Sequence, residues 1–106
     1  MFSVKSKTVM ENRRTVYAAL YSILDQEKLK AHLLLIVGEN GELEEYVPGP
    51  FTIGDWYSSR ITKKEASKIV WYFLKDTYPE MKIEPKDIKL WSAKKANELL
   101  FRLQNK

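Results

Sequence analysis

Residues Leu33 to Val37 form an unbroken apolar run, Leu-Leu-Leu-Ile-Val, and Asn40-Gly41 follows it closely. The run is too short for a membrane span or a signal-peptide core, and its β-branched end favours extended backbone. Asn-Gly tolerates positive φ at both turn positions, which makes it a strong short-range hairpin signal. Together they predict a central strand over His32–Val37, a turn at Glu39-Asn40-Gly41-Glu42 and a return strand over Leu43–Val47. Pro48-Gly49-Pro50 is expected to end that return strand, because proline brings no ladder donor. Phe51–Tyr57 then resumes an extended pattern. Phe51, Ile53, Asp55 and Tyr57 share one face there, and Thr52, Gly54 and Trp56 the other.

Helical signals flank this block. Thr8 and Glu11 make a capping box, and Val9, Val16, Leu20, Ile23 and Leu24 recur on one helical face with Tyr17 beside them. The spacing predicts a helix from Val9 to Lys28. A second capping box, Thr62 with Glu65, opens another helix, with Ile61 and Ala66 as its hydrophobic staple. Pro79 should end it near Tyr78. Asp87–Trp91 reads as a fourth strand, Ile88 and Leu90 facing inward and Lys89 and Trp91 sharing the other face. Ser92 caps a last helix whose buried stripe is Ala93, Ala96, Leu99, Leu100 and Leu103. The order is α-β-β-β-α-β-α. It predicts a single α+β domain over residues 1–106: a mainly antiparallel four-stranded sheet with three packed helices.

Chemistry is sparse. The chain has no cysteine, so thiolate metal sites, disulfides and cysteine nucleophiles are excluded, and its one histidine, His32, excludes any site needing two imidazoles. Gly38, Gly41, Gly49 and Gly54 form no phosphate-binding loop or dinucleotide fingerprint. Glu44 and Glu45 point to opposite faces of their strand, a poor acid–base pair, and Asp55 is the one carboxylate expected to be half-buried. The expectation is a non-enzyme with no metal and no cofactor. Met1 to Lys7 carries no apolar stretch after its lysines, so the expected location is the cytoplasm, with no membrane.

The informative pattern lies on the helix opened by Thr62. Ala66, Ile69, Val70, Phe73 and Leu74 make its core face, and the opposite face collects Lys64, Lys68, Trp71 and Lys75. Tryptophan is normally largely buried, so a ring amid lysines needs a reason. One reading is a stacking platform for a base, flanked by cations for its phosphates. The competing one is that a loop or the first helix covers the ring and lysine stems pack on it. Trp56 and Trp91 on neighbouring strands, with Lys89 beside them and Arg60 at a strand–helix junction, would enlarge a stacking surface. Eighteen basic and fourteen acidic residues give a net charge of +4, and the acidic ones gather at Glu39–Glu45, leaving the basic surface locally stronger than the total.

The sheet-and-helix plan and the aromatic surface with a basic rim (Trp56, Trp71, Trp91, Lys64, Lys68, Lys89) resemble ThermoDBP, an archaeal family of single-stranded-DNA-binding proteins. The resemblance spans Thr8 to Leu103 and implies sequence-tolerant binding in a cleft lined by aromatics, and a dimer. No heptad run long enough for a coiled coil occurs in this chain. The expected function is nucleic-acid binding, single-stranded DNA or RNA preferred, through Trp71, Trp56, Trp91 and the rim Lys64, Lys68, Lys75, Lys89 and Arg60. The alternative is a non-catalytic protein–protein or self-assembling module using the same rings. For it, Phe101 is the candidate homodimer contact, because it falls well off the last helix's apolar stripe, beside Lys94.

Overall fold

Strand β1, Thr15–Ile23, stands where the sequence predicts the middle of a long helix. The computed structural model describes residues 13–55 and 62–105. In them β1 is followed by β2 (Lys28–Val37), β3 (Leu43–Asp55), helix α1 (Lys63–Thr77), strand β4 (Ile88–Leu90) and helix α2 (Ala93–Gln104). The fold is one small α+β domain with a mixed sheet in the order β3-β2-β1-β4. Two helices are present among the described residues rather than three, and the order is β-β-β-α-β-α. The capping box at Thr8 lies outside the described residues.

The helix expectation fails for a physical reason. Val16, Leu20 and Ile23 satisfy helical spacing, but β1 is covered on both faces and therefore needs no polar alternation. Val16 and Ala18 join one core with Leu34, Ile36 and Ile53, while Ala19 joins a second with Leu33, Leu35 and Val37. Antiparallel pairing with β2, from Thr15 opposite Val37 to Ile23 opposite Lys28, settles the strand. A 3-10 turn over Leu24–Gln26, with Glu27 at φ 53°, reverses the chain between them.

The expected hairpin is present. Val37 pairs with Leu43, Gly41 takes φ 81°, and its amide donates to the Gly38 carbonyl at 2.9 Å. The expected break at Pro48-Gly49-Pro50 is not. Leu43–Val47 and the start of the next expected strand are one thirteen-residue strand, β3, with a cis Gly49–Pro50 peptide. The prolines are tolerated because β3 is an edge strand, where a missing donor need not leave a ladder partner orphaned. A Cβ at Gly49 would run into the carbonyl oxygens of Ala31 and His32, so glycine lets β2 and β3 approach there.

Helix α1 lies on one face of the sheet, burying Ala66, Val70 and Leu74 against the first core. Helix α2 lies on the opposite face, burying Ala96 with Leu99, Leu100 and Leu103 partly covered. The Thr62–Glu65 box and the Ser92 cap form as the sequence predicts, and α1 ends at Tyr78 before Pro79. Strand β4 is shorter than expected and runs parallel to β1, so the sheet is not mainly antiparallel along its whole width. No helix among the described residues is long and apolar enough to cross a membrane.

Candidate nucleic-acid interface

The crossover from β3 through α1 to β4 brings the start of α1 against the β4 edge of the sheet. There Lys63, Lys64 and Ser67 face the Glu84–Lys86 turn, Lys89 and Trp91 across an open cleft of about 600 Å³. Lys63, Lys64, Lys86 and Lys89 are exposed, and none makes an ion pair among the described residues. Glu84 is the one acidic side chain in the lining. Four lysines against one glutamate make the cleft an attractive place for polyanion phosphates.

Trp91 is fixed in the cleft wall. Its amide donates to the Ala18 carbonyl at 3.0 Å, extending the β1–β4 pairing by a residue. Its ring packs on Tyr17 with centroids 4.3 Å apart, and Lys95 Nζ stands 4.2 Å from its centroid. A base stacking on this indole would have to move Lys95 aside, so Trp91 serves better as a rigid wall than as an open platform.

Trp71 does not stand free in the lysine stripe. It is half-buried against the first core, and its indole Nε1–H donates to the Ile83 carbonyl at 2.8 Å. The segment between Tyr78 and Pro85 covers it, with Lys75 Nζ 3.5 Å from the Met81 carbonyl. The expectation of an exposed Trp71 is therefore replaced by the reading in which a loop covers the ring. Tryptophan brings one polar atom and a large apolar body, and this position satisfies both.

The exposed ring on this helix is the neighbour of Trp71, Tyr72, 61% exposed. Its ring meets Trp71 edge-on at 5.0 Å, and Lys68 lies one turn before it and Lys75 one turn after. Sequence reasoning missed Tyr72, Lys63 and Lys86. On a helical wheel Tyr72 is as far from the core face as Trp71, on its other flank, a signal the sequence did carry.

Other expected residues separate from this group. Trp56 and Arg60 lie outside the described residues. Tyr46, 41% exposed, shares a cross-sheet row with Leu35, Tyr17 and Lys89, but β3 and β4 are opposite edges, about 14 Å apart at ordinary strand spacing. Asp55 is exposed and paired with Lys28 rather than half-buried. His32 is exposed and stacks on Tyr21, with ring centroids 4.2 Å apart. Arg13 and Arg14 are held by carboxylates. Arg13 grips both Asp87 oxygens at 2.7 and 3.0 Å, and Arg14 Nε lies 2.9 Å from Glu44. Phe101 is 69% exposed on the outer face of α2, close to Lys94 and Arg102, as the helical spacing predicts. No family model matches this chain, and neither a curated protein nor a solved structure matches it.

Proposed function

We propose that this protein is a cytoplasmic, non-catalytic nucleic-acid-binding protein that prefers single strands and holds their phosphates in the cleft between α1 and β4. The observation carrying this reading is the convergence of Lys63, Lys64, Lys86 and Lys89 on one open surface, without ion pairs among the described residues. Arg13, Arg14 and Lys28 are each matched to a carboxylate and so neutralised within the protein, whereas the four cleft lysines keep their charge open to a partner. Phosphate contacts of this kind are sequence-tolerant and strongly salt-dependent. No cofactor enters the proposal.

The test is an anisotropy titration of a labelled oligonucleotide across a salt series, with duplex of the same sequence as competitor. The reading expects salt-sensitive binding that a single strand competes for better than duplex. Absence of binding at micromolar protein and low salt would remove it.

One observation favours a second reading. Phe101 is the most exposed large apolar side chain among the described residues, and a ring there suits a protein contact, including a second copy of this chain. That reading expects a mass that rises with protein concentration, is insensitive to salt and falls back on Phe101→Ser.

A further inference from the structure

We infer that Tyr72 is the base-stacking residue of the interface, and that a bound single strand runs from the cleft along the lysine row of α1. The inference rests on the nucleic-acid reading above and deepens it. Lys64 lines the cleft, Lys68 follows one turn later, and Tyr72 follows Lys68 by another. At 1.5 Å rise per residue, Lys64 and Tyr72 stand about 12 Å apart along the helix, a span of about two nucleotides of extended strand.

Of Trp71, Tyr72 and Trp91, Tyr72 is the ring open to a base. Trp91 is flanked by Tyr17 and Lys95, and Trp71 is covered by the Tyr78–Pro85 segment. Tyr72 is 61% exposed, yet its orientation is constrained, because its ring meets Trp71 at 5.0 Å and 61° and Trp71 is itself pinned to Ile83. A ring restrained before binding loses less rotational freedom when a base lands on it. Lys68, exposed one turn before Tyr72, can meet a phosphate that flanks the stacked nucleotide. A tyrosine also presents its π-face to any base, which fits binding without sequence preference. Asp76 sits one turn beyond Tyr72, so the favourable direction for the strand is toward Lys68 and the cleft.

The experiment compares two labelled strands of equal length and charge, an oligothymidylate and an abasic oligomer, on wild-type protein, Tyr72→Ala, Tyr72→Phe and Lys64→Ala/Lys89→Ala. Tyr72→Ala is expected to weaken oligothymidylate binding by about fivefold to a hundredfold, the range that base–ring stacking supplies, and to leave abasic binding within about twofold. Tyr72→Phe keeps the π-face and is expected to bind both strands like wild type. Circular dichroism checks that each variant is folded, as the exposure of Tyr72 predicts. If Tyr72→Ala binds oligothymidylate like wild type, or weakens both strands equally, the stacking assignment is overturned while the cleft reading stands. If wild-type protein binds neither strand, the nucleic-acid reading fails and the assignment fails with it.

Discussion

The indole N–H of Trp71 donates to the carbonyl of Ile83 at 2.8 Å, and this bond fastens helix α1 to the segment that leads into the cleft wall. Two further contacts hold the same stretch: Lys75 reaches the Met81 carbonyl, and Arg13 grips Asp87 with both oxygens engaged. The wall carrying Lys86 is thus set in place before any ligand arrives.

Trp71→Phe keeps most of the apolar body and removes the donor, leaving the Ile83 carbonyl without its partner. Loss of one part-buried hydrogen bond of this kind costs about 1–2 kcal/mol. Urea unfolding should show that loss, while oligonucleotide affinity at 25 °C stays within about twofold of wild type, because the phenyl body still backs Tyr72 and Arg13 still holds the cleft wall through Asp87. Unchanged stability with lost binding would mean that the indole touches the ligand directly.

Arg13→Ala should destabilise by about 1–2 kcal/mol. The pair is bidentate, and the Asp87 side chain is only 15% exposed, although the Arg13 side chain is 41% exposed and partly screened. Because salt screens the exposed half of the pair, the gap between variant and wild type should narrow in high salt. Equal unfolding midpoints at low salt would show that the clamp contributes nothing.

Gly49→Ala places a methyl group against the Ala31 and His32 carbonyls, and backbone cannot swing aside as a long side chain can. The β2–β3 pair must part locally, at a cost of about 1–3 kcal/mol. Gly41→Ala meets no atom but takes a left-handed φ of 81°, costing about 1–2 kcal/mol. Thermal melts that rank Gly49→Ala as harmless would contradict the close approach.

How much of this was legible in the sequence divides along the range of the interactions. The Asn40-Gly41 turn, the Thr62–Glu65 box and the Ser92 cap are set within four residues; the box and the cap form as the local pattern predicts, and the turn forms with Gly41 but not Asn40 at positive φ. The β1 segment is different. Its Val16, Leu20 and Ile23 suit a helix as well as a doubly covered strand, and the choice is made by β2, which pairs across the turn. The path of β3 through two prolines depends on its being an edge, a property of the whole sheet.

The candidate site divides in the same way. Lys64, Lys89 and Trp91 were expected residues that the structure brings together, because β4 pairs in parallel with β1 and carries Lys89 and Trp91 to the start of α1. That pairing spans more than seventy residues and leaves no local trace. Trp71 was misplaced because what covers it is the Tyr78–Pro85 segment, whose return path along α1 no periodicity announces.

The central claim is that phosphate binding is seated on the cleft lysines, and the slope of affinity against salt tests it most directly. Each lysine–phosphate contact on a single strand contributes about 0.7 to the slope of log K against log salt. Lys64→Ala/Lys89→Ala should therefore lower the slope by about 1.4 and weaken binding to every sequence alike. A double variant with the slope and affinity of wild type would place the phosphates elsewhere and contradict the account.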